Sequence, residues 1–188
     1  KLKAPRVEAY LSDDMAFKLD PYDLIKNEDI VSCYDVAKDS LYGKFFKKYN
    51  SCGVKTVFKL KTLNDYVMAN NFDGIDLDFE GFAFVDGNTT WAKTAPSWVA
   101  LVKELSGLLR ANNKLLSVST PYNFNPAERQ KGYTVYAWPQ IASHIDRLRI
   151  MTYDYSVARV GPIGPIAWTE KTVAYATSIM PASKVYVG

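Results

Sequence analysis

The chain has 188 residues, 48% hydrophobic and 23% charged, a balance that excludes disordered and collagen-like polymers and supplies enough apolar material for a sizeable core. Its net charge of +3 comes from 23 basic and 20 acidic side chains mixed along the sequence, which points to no nucleic acid or other charged partner. No window approaches the ~18 consecutive apolar residues of a membrane helix, so no membrane span is expected.

The opening "KLKAPRVEAY" has neither an initiator Met nor an apolar signal region, as expected of a mature or trimmed chain. Strands are predicted over "VEAYLS" (7–12), "DIVSCYDV" (29–36) and "VKTVFKL" (54–60). Cys33 and Cys52, the only cysteines, allow either a disulfide or two buried thiols. With His144 as the single histidine they make no convincing zinc set. The next strand is "FDGIDLDFE" (72–80); the eleven residues before it (61–71) give a crossover helix barely enough room, so residues of a longer parent are expected to be missing there.

An irregular stretch, "GFAFVDGNTTWAKTAP" (81–96), follows and holds the sequon Asn88-Thr89-Thr90, which matters only in a eukaryotic secretory host. "TAPSWVALVKELSGLLRANNK" then reads as a helix, with Pro96 in its first turn and Trp98, Val99, Val102, Leu105, Leu108 and Leu109 at helical spacing. Strand "LLSVSTP" (115–121) leads into a second irregular stretch, "YNFNPAERQKGYTVYAW" (122–138). The chain continues with strand "DRLRIMTYDY" (146–155), helix "TEKTVAYATSIM" (169–180) and strand "KVYVG" (184–188).

Most of these strands are short, β-branched or aromatic, and apolar on both faces, as parallel strands covered by helices are. Alternating β and α segments imply right-handed βαβ units, built either as a (β/α) barrel or as a doubly wound sheet. No repeat and no break in composition divides the chain, so residues 1–188 are read as a single domain. Both irregular stretches leave the C-terminal ends of strands, where such folds place ligands. Trp91, Tyr122, Asn123 and Phe124 suit stacking on and hydrogen bonding to a sugar, or alternatively loop packing.

Within the acidic strand, alternation puts Asp76, Asp78 and Glu80 on one side and Ile75, Leu77 and Phe79 on the other. Asp73, beside Gly74, falls outside the acidic row and reads as an entry residue. Three carboxylates in a row facing a partly dry interior repel one another and lose hydration, so at least one is expected to hold a proton near neutral pH. A carboxyl of raised pKa suits a general acid, and Glu80, nearest the strand's C-terminal mouth, is the best donor candidate. Coordination of a hard cation is the alternative use of such a row.

"DGIDLDFE" resembles the D-G-x-D-x-D-x-E signature of glycoside hydrolase family 18, the chitinase-like enzymes. Its five fixed positions would arise by chance in such a chain on the order of once in ten thousand. "RIMTYDYS" resembles the family's M-x-Y-D segment through Met151, Tyr153 and Asp154. "VEAYLSD" is similar to its first barrel strand and "KVYVG" to its seventh.

The resemblance implies a (β/α)8 TIM barrel, here incomplete at its C-terminal end with about seven strands, as part of a longer chain. It also implies retaining, substrate-assisted hydrolysis of β-linked N-acetylglucosamine glycans (chitin, peptidoglycan or N-glycan core) without a cofactor or metal. Glu80 would protonate the glycosidic oxygen and the substrate's own acetamido oxygen would attack. Asp78 would orient that acetamido group and share a proton with Asp76, and Tyr153 would bond its carbonyl. Asp154, Met151 and Tyr122 would contact the sugar.

Phe79 departs from the Trp or Tyr that many members carry. Such glycans lie outside the cytoplasm, so a secreted or cell-surface location is expected. The alternatives are a catalytically silent, sugar-binding relative and a metal-dependent α/β enzyme of another class.

Overall fold

The computed structural model describes residues 8–12 as backbone, together with 63–84 and 86–188. Its elements are β1 (Glu8–Ser12), helix α1 (63–69), β2 (Gly74–Asp78), α2 (Gly81–Phe84), α3 (Trp91–Ala111), β3 (Leu115–Pro121), α4 (Trp138–Ile141), β4 (Arg147–Met151), α5 (Ile166–Ile179) and β5 (Val185–Val187). The strands form one parallel sheet in the order β1-β2-β3-β4-β5. A doubly wound sheet reverses its strand order at a switch point. No such reversal occurs among the described strands, which favours the singly wound alternative.

Five of the seven expected strands are thus found, and 29–36 and 54–60 lie outside the described residues, as do Cys33 and Cys52. One pairing departs from expectation. β1 lies directly beside β2, with Ala9 opposite Ile75 and Leu11 opposite Leu77, a place that strict sequential order would give to the strand just before the acidic one. The short link 61–71 does accommodate a helical segment, α1.

The core forms from the alternating apolar side chains of the three central strands. Ile75, Leu77 and Phe79 of the acidic segment, Leu116 and Val118 of β3, and Leu148 and Ile150 of β4 are all buried on the helix-covered side. Helix α3 meets them with Trp98, Leu101, Val102, Leu105 and Leu109, a stripe at three- and four-residue spacing. It stops at "NNK": Asn113 takes the left-handed conformation (φ 56°) and the Lys114 N–H returns to the Leu109 carbonyl at 2.8 Å.

The helix also begins earlier than the sequence suggested, at Trp91, which places Pro96 inside it rather than in its first turn. Pro96 is exposed, so the interruption of the helical ladder faces solvent. Trp91, half-buried, gives the added turn its anchor by donating from Nε1 to the Ala83 carbonyl at 3.3 Å. Among the described residues, no helix is long and apolar enough to cross a membrane.

Candidate active site

Gly74 opens the acidic strand because nothing larger fits: a Cβ there would lie 2.3 Å from the Leu115 carbonyl oxygen. That close approach sets the register of β2 on β3, Ile75 opposite Leu116 and Asp76 opposite Ser117. The Asp73 carbonyl accepts the Leu115 N–H at 2.9 Å, in keeping with its reading as an entry residue. Alternation then places the acids away from the apolar core. Asp76 is buried, and Asp78 and Glu80 are half-buried toward the strand's C-terminal end.

Asp76 Oδ2 accepts a hydrogen bond from the Ser119 hydroxyl at 2.9 Å and lies 3.4 Å from the Arg149 Nε, while Oδ1 is buried without a hydrogen-bond partner. Burial raises its pKa above the ordinary aspartate value. The Ser119 bond and the Arg149 charge oppose this, and the Asp78 charge adds to it. A raised carboxyl, expected for at least one of the three, is therefore found at Asp76, the most buried of them, because desolvation grows with depth.

The Glu80 backbone carbonyl receives the Ala83 and Phe84 N–H groups at 2.9 and 3.0 Å, so Glu80 starts the short helix α2. Just before it, the Phe79 carbonyl accepts from the buried Tyr136 hydroxyl at 2.7 Å. Tyr136 is itself locked, since the Trp98 Nε1 donates to its carbonyl at 3.0 Å and its ring packs on Phe82 at 4.9 Å. The peptide that carries Glu80 is thereby fixed to the aromatic core.

Two tyrosines, Tyr153 just beyond β4 and Tyr133 in the loop after β3, feel the charge of the acidic row. Tyr153, two residues beyond β4, has its pKa raised by partial burial and then by the charges of Asp78, Glu80 and Asp154. Tyr133 has its pKa raised by burial, then by Tyr122, then by Glu80. Both hydroxyls thus stand within electrostatic reach of Glu80. Asp154 is exposed and left-handed (φ 58°), and Met151 is the half-buried last residue of β4.

The two irregular stretches close on each other beside this row. Ala83, Phe84, Asn88 and Trp91 from the first, with Tyr122, Lys131, Gly132 and Tyr133 from the second, line a cleft of about 330 Å³. Tyr133 is its centre, its ring 4.9 Å from Phe84, 5.5 Å from Trp91 and 5.3 Å from Tyr122. Tyr122 also packs edge-on against Trp168 at 4.9 Å, and burial raises its pKa ahead of Tyr155. Trp91 and Tyr122 therefore both line the cleft.

Asn123 and Phe124, grouped with them in the sequence, are buried instead. The Asn123 N–H donates to the Thr172 hydroxyl at 3.1 Å and its Oδ1 accepts from the Phe124 N–H at 3.0 Å, so this pair ties the loop to α5.

The sequence profile of Glycosyl hydrolases family 18 matches residues 46–188, which include the acidic strand, both cleft-lining stretches and the Tyr153 segment. The chain belongs to glycosyl hydrolase family 18. No curated protein sequence matches it. Among solved structures it is similar to a class V chitinase from Pseudomonas fluorescens Pf-5, with 25% identity and a TM-score of 0.68, over 96% of this chain and 48% of that one.

It is also similar to the spore cortex-lytic enzyme SleL of Bacillus cereus, with 15% identity and a TM-score of 0.67, over 100% of this chain and 52% of the other. A third is a chitinase from Chromobacterium violaceum ATCC 12472, with 23% identity and a TM-score of 0.63, over 77% of this chain and 43% of the other. The chain spans about half the length of these structures.

Several site residues escaped the sequence reading. Ser119 and Arg149 contact Asp76 from β3 and β4, and Tyr133 and Lys131 line the cleft. For Arg149 a signal existed, because in "RLRIM" the buried Leu148 and Ile150 put Arg149 on the same face as Met151. Among the described residues, no group of three or more His, Cys, Asp or Glu side chains is arranged to hold a metal ion.

Proposed function

We propose that this chain carries the catalytic centre of a retaining, substrate-assisted hydrolase of β-linked N-acetylglucosamine glycans, built on a (β/α)8 barrel of which it is a part. The observation that carries the reading is the unbroken row Asp76, Asp78 and Glu80, with the Glu80 backbone bonded to the cleft-lining Ala83 and Phe84 and its charge felt by Tyr133 and Tyr153. Family membership and the chitinases among similar structures support it.

In this reading Glu80 gives its proton to the glycosidic oxygen as the bond breaks, while the substrate's acetamido oxygen attacks the anomeric carbon to form an oxazolinium ion. Tyr153 donates a hydrogen bond to the acetamido group and Asp78 orients it. Asp78 shares a proton with Asp76, whose pKa burial raises. Glu80, now ionised, then takes a proton from the water that opens the ring. Asp154, Met151 and Tyr122 border the bound sugar. The glycans concerned lie outside the cytoplasm, which makes a secreted or cell-surface protein the matching assignment.

The test is Glu80→Gln with a chromogenic chitooligosaccharide. Turnover should fall by about a thousandfold or more while the oligosaccharide still binds. Turnover equal to that of the unaltered protein would sink the assignment, and tight binding without any product from the unaltered protein would mark a silent, sugar-binding relative.

A further inference from the structure

The cleft beside Glu80 is lined by four aromatic side chains, Phe84, Trp91, Tyr122 and Tyr133, and Lys131 is the charged residue among its described lining. Lys131 is held in place from both directions. Gly132 packs so closely on Asn123 that an added Cβ would fall 2.3 Å from its Cα, and the Tyr133 N–H bonds the Tyr122 carbonyl at 3.1 Å, pinning the two ends of the loop together.

The Lys131 ammonium donates to the Pro126 carbonyl at 2.7 Å, which engages one of its three N–H groups. Among the described residues it has no carboxylate partner, since the loop's own acid, Glu128, is 3.6 Å from Lys171 instead. Lys131 is exposed, with its ammonium at the solvent edge of the cleft, where the low-dielectric aromatic walls screen its attraction for an anion less than open water does. A neutral N-acetylglucosamine ring has nothing to satisfy that charge, and a de-acetylated, cationic ring is repelled by it.

We propose that this cleft receives a sugar bearing a carboxylate, adjacent in the polymer to the N-acetylglucosamine unit that sits over the acidic row, with Lys131 as its counter-ion. This deepens the hydrolase reading and rests on it. The aromatic walls take the apolar face of the ring, and the ammonium takes the acid. Two polymer chemistries share that pattern: alternation with a lactyl-ether (muramyl) sugar, and alternation with a uronic acid.

The experiment uses the Glu80→Gln protein, so that no probe is consumed, and measures its affinity for three tetrasaccharides. One alternates N-acetylglucosamine with muramyl units, one alternates it with glucuronic acid, and the third is chitotetraose. The better of the two acidic probes should bind roughly fivefold tighter than chitotetraose, a preference that shrinks with added salt and falls to about unity in Lys131→Gln. Which acidic probe wins identifies the source of the carboxylate.

Chitotetraose binding as tightly as both acidic probes, or a preference that survives Lys131→Gln, would overturn the inference and leave the hydrolase reading standing. Failure of all three probes to bind would remove both.

Discussion

Arg149 on β4 reaches across β3 to bring its Nε within 3.4 Å of Asp76 Oδ2 on β2, and Ser119 of the intervening strand donates to the same oxygen. The inner end of the acidic row is thus held between two opposed influences, burial favouring the neutral acid and Arg149 favouring the carboxylate. Removing the guanidinium in Arg149→Met leaves burial less opposed, so the Asp76 pKa should move further up. Arg149→Lys should fall between the two. Because the Arg149 side chain is 40% exposed, solvent screens part of the effect. Carboxyl NMR of the Asp76 resonance across a pH series reads it directly, and an unmoved titration would show that the contact carries no coupling.

The same carboxyl sets a pH dependence of stability whose sign is fixed by its direction of shift. Asp76 binds its proton more tightly folded than unfolded, so between the unfolded value near 3.8 and the raised folded value the native state holds more protons. Stability therefore declines as pH rises through that window, and above it the cost of an ionised, buried Asp76 is complete. Asp76→Asn keeps an acceptor for Ser119 and carries no charge. It should raise the melting temperature at neutral pH by a few degrees, with the gain vanishing as pH falls toward 3.8. A gain independent of pH would show that ionisation is not its cause.

Tyr136 supports the site from behind, because its hydroxyl bonds the Phe79 carbonyl next to Glu80. Tyr136→Phe keeps the ring contacts with Phe82 and Trp98 and deletes one buried hydrogen bond, costing about 1 kcal/mol of stability. If that bond holds Glu80 in its working position, kcat should fall several-fold more than KM changes. Denaturant unfolding and steady-state kinetics on the same sample separate the two effects, and an unchanged kcat would confine Tyr136 to packing.

The acidic row was legible in the sequence because strand geometry has a period of two, so "IDLDFE" sorts itself into an acidic and an apolar side without further information. Loop residues carry no such period. Asn123 and Phe124 have the composition of a sugar site yet are buried, whereas Tyr133 and Lys131, ten and more residues into the same loop from its start, line the cleft because Gly132 and the Tyr122–Tyr133 hydrogen bond fold the chain back. Arg149 could be assigned to a face. Its reach across β3 to Asp76 depends on the stagger of neighbouring strands, which one-dimensional spacing does not encode.

Gly74 tests how much the row depends on sheet register. Gly74→Ala would push a methyl group to 2.3 Å from the Leu115 carbonyl oxygen and 2.8 Å from its Cβ, and backbone on that side cannot simply rotate away. Parting β2 from β3 should cost about 2–3 kcal/mol, or about 4–12 °C in melting temperature at this chain length. Since the displacement occurs at the start of the strand that carries Asp76 and Asp78 and leads into Glu80, activity at a temperature where the variant is still folded should fall as well. Equal stability would mean that the strands can separate at no cost.

Asn88 is an exposed lining residue of the cleft and the acceptor of the sequon Asn88-Thr89-Thr90, followed at once by α3. A branched glycan attached there in a eukaryotic secretory host would extend over the same aromatic walls, Trp91 and Tyr133, that are available to a sugar ligand. Protein made in such a host and glycosylated at Asn88 should bind oligosaccharide more weakly than bacterially made protein, by about tenfold, because a large mobile group competes for the cleft. Trimming the glycan to its first sugar should recover part of the loss. Mass spectrometry establishes the occupancy and titration calorimetry the affinity. Equal binding by the fully glycosylated and the bacterially made protein would show that ligand does not enter between Phe84, Trp91 and Tyr133, and would move the binding surface to the Tyr153 side of Glu80.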